Sequence, residues 1–360
     1  MTQREQQVLK LIQADPMISQ QAIADELGIT RSSVAVHISN LMKKGYITGK
    51  GYVLPPETYA VVVGGVNVDI GGRSYDPLVC ADSNPGKVTI SMGGVGRNIA
   101  HNMCLMDLDV RLLTAYGDDL NGQRFSSSCS ELGIDVSRSL RVAGEATSCY
   151  LYLADHQGEM ALAISDMEIC KRITPEYLAS NASLLQGAQV IVADTNIPEE
   201  SLHYLANNST APLFIDPVST TKAKKLLPIL SSIHTLKPNI LEAALLSDIT
   251  ISEDADVERA AQILLEKGVK RVFITMGSRG IYAAQAGEAY WIPSIPGTMI
   301  NTTGCGDAVT AALVWAYLNE KGLKDSALAG LAAGSIAMES KETINPAMCI
   351  SALKKRAYNL

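Results

Sequence analysis

From Tyr59 onward, short apolar runs alternate with segments of helical period, which restricts most of this chain to parallel strands joined by helices. Several of the runs end on a polar residue. Val61 to Val63 leads to Asn67 and Asp69, Val190 to Ala193 meets Asp194, and Leu213 to Ile215 meets Asp216. Leu236 meets Lys237, and Val272 to Ile274 meets Thr275. In an open α/β sheet ligands bind beyond the carboxyl ends of the strands, so these tips are expected to converge on one cleft. Two stretches, near 74–92 and 148–164, lack helical period. The second holds Tyr150-Leu151-Tyr152-Leu153, an Asp155-His156-Gln157-Gly158 turn and Met160 to Ile164, a hairpin pattern that predicts a small β lid.

The first 54 residues read differently. Val8, Leu9 and Ile12 mark one side of a helix stopped by Asp15-Pro16. Ser19 is placed to cap a second helix carrying Ile23, Ala24 and Leu27. Gly28-Ile29-Thr30 turns into a third, with Val34, Ile38 and Leu41 inward. Tyr46-Ile47, Gly49-Lys50-Gly51 and Tyr52-Val53 predict a hairpin wing. This order resembles the winged helix-turn-helix domains of bacterial regulators. The resemblance implies DNA contacts by Arg31, Ser32, Ser33 and His37 in the major groove, with Lys43, Lys44 and Lys50 on phosphates. Residues 1–54 carry six basic against four acidic side chains, a net of +2, while the whole chain stands at −7. With so little positive charge, firm DNA binding needs a homodimer. The expected organisation is a DNA-binding domain at 1–54, a linker at 55–59 containing Pro55-Pro56, and a large domain at 60–360.

Seven scattered cysteines without a CxxC pair argue for reduced thiols and a cytoplasmic location. No apolar stretch approaches a membrane span, and the polar start argues against a signal peptide.

Neither a P-loop nor a dinucleotide fingerprint is present, because Gly94-Val95-Gly96-Arg97-Asn98 continues to Ile99 where a third glycine is required. The informative segment is Asn301-Thr302-Thr303-Gly304-Cys305-Gly306-Asp307, followed at once by an apolar helix. Gly304 and Gly306 free the backbone so that N–H groups around Cys305 face one concavity at the positive helix end, an anion hole for a phosphoryl group in transfer. Asp307, expected to be kept ionised by the helix dipole, is then the candidate base for an acceptor hydroxyl.

Gly-Cys-Gly-Asp resembles the signature of the ribokinase-like, or PfkB, carbohydrate and nucleoside kinases, and further motifs follow in that family's order. They are Gly64-Gly65-Val66-Asn67-Val68-Asp69, Gly93-Gly94-Val95-Gly96-Arg97-Asn98, Lys237-Pro238-Asn239-Ile240-Leu241-Glu242 and Thr275-Met276-Gly277-Ser278-Arg279-Gly280. The resemblance implies a three-layer α/β/α sandwich with a small β lid, and ATP and Mg²⁺ as cofactors. Asn67, Asp69, Gly93, Gly94 and Asn98 would hold ribose hydroxyls. Lys237, Asn239, Glu242, Thr275, Gly277 and Gly280 would serve the nucleotide, with Glu242 reaching magnesium through water. Thr343-Ile344-Asn345 would close the adenine side. A monovalent-cation site would involve Asn301 and Thr303. Asn301 stands where the family usually has Asp and removes a charge, which argues against potassium activation.

Ser165-Asp166-Met167, Asp194-Thr195-Asn196-Ile197-Pro198 and Asp216-Pro217-Val218 resemble the pseudouridine kinase branch, with Asp166 and Asn196 reaching toward base or phosphates. The implied activity is phosphorylation of a nucleoside 5′-hydroxyl. The alternatives are another nucleoside, ribose or sugar kinase, and a nucleoside-responsive regulator that uses the kinase fold as a sensor.

Overall fold

A computed structural model describes residues 1–49 and 58–358, in two compact units, Met1–Thr58 and Tyr59–Leu360. Lys50, the rest of the expected wing and the Pro55-Pro56 linker lie outside the described residues.

In the first unit, helices Gln3–Ala14, Gln20–Leu27 and Arg31–Lys43 enclose a core of Val8, Ile12, Ile23, Val34, Leu41 and Ile47. Their starts are fixed by Thr2, Ser19 and Thr30, whose hydroxyl oxygens accept the N–H of Glu5, Ala22 and Ser33. Such a cap is worth about 1 kcal/mol, enough to set the boundaries of helices this short.

The described residues of the second unit form fourteen strands: β1 Ala60–Val63, β2 Asn67–Ser74, β3 Gly86–Gly93, β4 Val110–Leu113, β5 Ala115–Gly117, β6 Leu140–Val142 and β7 Cys149–Ala154, then β8 Met160–Asp166, β9 Val190–Asp194, β10 Leu213–Asp216, β11 Thr235–Leu236, β12 Arg271–Thr275, β13 Ile281–Gln285 and β14 Glu288–Ile292. Eight form one sheet in the order β14-β13-β12-β11-β10-β9-β1-β4. It is parallel from β12 to β4, with β13 and β14 antiparallel at one edge. Both faces are covered. Val62, Val192 and Phe214 belong to one core, with Ile99, Met103 and Trp315 from helices, while Val61, Val63 and Ile191 belong to the other. Burial on two sides explains why these strands are continuously apolar rather than alternating.

The lid is a separate sheet, β3-β2-β7-β8. It begins at Asn67, earlier than expected: Asn67 and Asp69 open a lid strand instead of ending β1. Asn, Asp and the Gly71-Gly72 pair disfavour strand structure locally, and pairing with both β3 and β7 overrides that preference. In register, Asp69, Ser91 and Tyr150 share one face, while Ile70, Ile90, Leu151 and Ile164 share the other.

Candidate active site

At the tips of the central strands sits a buried charge cluster. Asp194, fully buried at the end of β9, accepts the N–H of Gly65 (2.9 Å) and of Asn196 (2.8 Å), and burial pushes its carboxyl up to about 6. Asp216, at the end of β10, accepts the Thr310 hydroxyl at 2.9 Å and lies 3.3 Å from the Lys237 ammonium. Burial pulls Lys237 down, but Asp216, Glu242 and Asp307 more than restore it, so it stays charged.

Helix Cys305–Leu318 packs over these tips, and its first turn holds the Gly-Cys-Gly-Asp motif. Gly304 has φ +81°, and a Cβ there would stand 2.4 Å from the Thr343 carbonyl oxygen, so only glycine allows this turn. The first N–H groups of an α-helix have no partner within the helix, which leaves this end a donor site. Asp307 is 9% exposed, and Asn98 Nδ2 donates to its Oδ2 at 2.9 Å. The expectation that the helix dipole keeps it ionised is corrected. Burial, then Asp216 and Asp194, push its carboxyl up to about 8, against the opposing effects of Asn98 and Lys237. The Cys305 thiol is likewise pushed up, by burial and by Asp307.

Two cavities meet this turn. One, about 480 Å³, is lined by Thr275, Gly277, Gly280, Thr302, Cys305 and Gly306, with Val309 and Leu331 adding apolar walls. The other, about 820 Å³ and under the lid, is lined by Asp69, Ser91, Arg97, Tyr150, Asn301 and Thr303. Asp69 is oriented by Asn67 Nδ2, which donates to its Oδ1 at 2.6 Å. Burial raises the Asp69 carboxyl, opposed by Asn67 and Arg97. A Cβ on Gly93 would lie 2.2 Å from Asp69 Oδ2, so the strand pair leaves room for that carboxylate only beside glycine. Gly94, with φ +100°, then starts the helix carrying Asn98.

Other sequence-selected residues are engaged elsewhere. Asn239 and Glu242 cap each other's backbone at the start of helix Ile240–Ser247, each bond 2.9 Å, and neither lines either of these two cavities. Burial raises the Glu242 carboxyl. Among the described residues, no group of three or more His, Cys, Asp or Glu could hold a metal ion. Asn345 is not among the residues lining these two cavities, its amide donating to Ile336 O (2.6 Å) and accepting from Ala347 N (2.9 Å), whereas Thr343 and Ile344 line the lid cavity. Asn301 Oδ1 accepts the Thr303 N–H at 3.0 Å, which takes up the oxygen expected for a cation. Asp166 is exposed on β8 and accepts the Glu168 N–H, and Asn196 accepts the Lys222 ammonium; neither lines the lid cavity. His101 and Lys341 do line it, although no motif points to them.

In the first unit, Arg31 and Ser32 are exposed at the start of the third helix, with Ser33 and His37 half-buried. Ser33 Oγ is 2.8 Å from Thr30 Oγ1. Lys44, expected to meet phosphates, has a partner within its own unit. Its ammonium binds the buried Glu5 at 2.7 Å, an interaction that holds the Glu5 carboxyl below its ordinary value.

Residues 57–348 match the pfkB family of carbohydrate kinases, and residues 1–48 match a winged helix-turn-helix DNA-binding family. The chain is 42% identical over 295 residues to pseudouridine kinase of Escherichia coli strain K12, covering 81% of this chain and 94% of that protein. It is 37% identical over 350 residues to the uncharacterized sugar kinase YeiI of the same strain, covering 97% of each. Its fold is similar to ribokinase from Thermotoga maritima, with TM-score 0.75 and 21% identity over 82% of this chain and 98% of that one. The ribokinase of Arabidopsis thaliana, whose structure contains ribose and ATP, superposes with TM-score 0.74 at 20% identity, over 83% of this chain and 98% of that one. With the glycine turn, buried aspartate and paired cavities in place, the chain belongs to the PfkB family of carbohydrate kinases, phosphotransferases acting on sugar or nucleoside hydroxyls, and carries an N-terminal winged helix-turn-helix domain.

Proposed function

We propose that this protein transfers a phosphoryl group from ATP to the ribose 5′-hydroxyl of pseudouridine. The observation that carries this reading is that one turn, Asn301–Gly306, contributes to the walls of both cavities: Thr302, Cys305 and Gly306 to one, Asn301 and Thr303 to the other. A donor in the first cavity and an acceptor in the second would meet at the N-terminus of the helix that bears Asp307. Small and apolar walls in the first suit a planar base. In the lid cavity, Asp69 can accept from two vicinal ribose hydroxyls. Asp307 takes the acceptor proton as the new O–P bond forms and the bond to the ADP oxygen breaks. Backbone N–H groups of the turn meet the charge on the transferring oxygens. Magnesium would be carried largely by the nucleotide phosphates and would supply further charge neutralisation, and Glu242, whose carboxylate accepts the Asn239 N–H, would reach it only through water.

Two basic side chains line the lid cavity, Arg97, which donates to Met92 O and Ser128 Oγ, and Lys341, so phosphorylated acceptors have to be compared with unphosphorylated ones. The choice of pseudouridine rests on the 42% identical relative. Incubation with ATP, Mg²⁺ and a panel of pseudouridine, uridine, ribose and sugar phosphates tests it. Pseudouridine should give the highest kcat/KM, and an equal or higher value for ribose would overturn the substrate assignment.

The reading includes a second copy of the chain and DNA. Val88, Ile90, Leu151, Leu153, Leu162 and Ile164 lie 37–65% exposed on the lid face away from Asp69, an apolar surface large enough to call for cover. A homodimer would also present two recognition helices to one operator, offsetting the low charge of each. The kinase body then has the means to act as a nucleoside sensor as well.

A further inference from the structure

Of the side chains expected to reach the acceptor's base, neither Asp166 nor Asn196 lines the lid cavity. Asp69 is committed to the ribose, and at about 820 Å³ the chamber extends well beyond a sugar ring. Two other side chains on its wall lack a full set of partners. Arg97 is 6% exposed, its Nε is buried and unpartnered, and its two hydrogen bonds, at 3.3 and 3.2 Å, go to the uncharged oxygens Met92 O and Ser128 Oγ. A buried cation ordinarily has a carboxylate beside it. His101 follows four residues later in helix Val95–Leu105, on the same face, and its Nδ1 is also buried without a partner. Burial, then Arg97, pull the imidazole down to about 4, so the ring is neutral and offers one donor and one acceptor.

The rest of the wall decides which group fits there. Tyr150 and Tyr152, with ring centroids 6.0 Å apart, line the chamber and offer flat apolar surface. Arg97 and Lys341 are balanced on that wall by Asp69 and Glu342, which leaves no net positive charge for an acceptor phosphate. A planar, uncharged ring bearing carbonyl oxygens meets these conditions. We infer that Arg97 and His101 are specificity-determining residues that read the acceptor's base: Arg97 donates to a ring carbonyl oxygen while His101 accepts the adjoining ring N–H, an edge that a uracil-type base offers and a bare sugar lacks. The inference rests on the kinase reading and adds to it the part of the site that selects a nucleoside over ribose.

The test is kcat/KM for pseudouridine and for ribose, measured on the full chain with ATP and Mg²⁺ saturating. Arg97→Met and His101→Leu should each lower the preference for pseudouridine over ribose by about tenfold or more, the factor that a lost buried hydrogen bond to substrate carries. His101→Gln should recover most of the loss on pseudouridine, because its amide keeps a donor and an acceptor. General damage to the fold lowers both substrates together and gives no such recovery. Should Arg97→Met fail to fold, the two His101 variants decide alone, since that side chain is only half-buried. An unchanged preference in His101→Leu, or in folded Arg97→Met, overturns the inference while leaving the kinase reading intact. So does a wild type that favours a ribose phosphate and loses that activity in Arg97→Met, because the chamber then binds an anion. A wild type that phosphorylates no acceptor overturns the kinase reading as well.

Discussion

Asn98 Nδ2 donates to Asp307 Oδ2 at 2.9 Å, joining two residues 209 positions apart at the start of two different helices. The amide from the acceptor-side motif is thereby the direct partner of the catalytic candidate. Because this donor favours the ionised carboxylate, Asn98→Ala should raise the acid limb of the kcat/KM profile and lower the rate about tenfold near neutral pH. A profile unchanged from wild type would remove Asn98 from this role.

The raised carboxyl of Asp307 also makes a stability prediction. The folded state holds its proton up to about 8, while the unfolded chain releases it near 3.8. Between those values the native state binds more protons, so this group's contribution to stability declines as pH rises. Asp307→Asn, which needs no ionisation, should therefore have a higher Tm than wild type at pH about 8, with the gain shrinking toward pH about 5. Thermal unfolding followed by circular dichroism at several pH values checks this. A gain that does not depend on pH would show that the carboxyl is not the source.

Gly93 and Gly304 should fail in different ways. A methyl group on Gly93 meets Asp69 Oδ2, so Gly93→Ala should raise KM for the acceptor at least tenfold and leave KM for ATP within about twofold. Gly304→Ala meets the Thr343 carbonyl and a left-handed φ, which costs about 1–3 kcal/mol and displaces the turn common to both cavities. Its kcat should fall most. Steady-state kinetics with each substrate varied in turn distinguish the two outcomes.

The outer face of the lid yields an assembly prediction. Placing lysine at Ile90 and Leu162, 58% and 59% exposed, should shift a dimer to monomer in sedimentation velocity and weaken DNA binding through the loss of paired heads. A sedimentation coefficient identical to wild type would show that this face is not the contact.

Much of this arrangement was legible before folding because its signals are local. Continuous apolar strands, the glycines around Cys305 and the helix caps at Ser19 and Thr30 depend on neighbours only a few residues away. What stayed hidden depends on distant partners. Asn67 to Ser74 is a strand because β3 and β7 flank it, not because its residues prefer one. The ion pair of Lys44 with Glu5, 39 positions earlier, has no local signal. Asn239 and Glu242 carry a local helix-capping signature that coincides with the family motif. The ionisation of Asp307 could not be read at all, since it depends first on burial and then on Asp216 and Asp194, which arrive from the ends of two strands.

The account stands most directly on Asp307, in the first turn of the helix that follows the turn lining both cavities, as the proton acceptor. Single-turnover phosphorylation of pseudouridine by Asp307→Asn, with ATP and Mg²⁺ saturating, measures it. The account predicts a rate reduced by about 10²-fold to 10⁴-fold, with both substrates still bound. A rate within about threefold of wild type would contradict it.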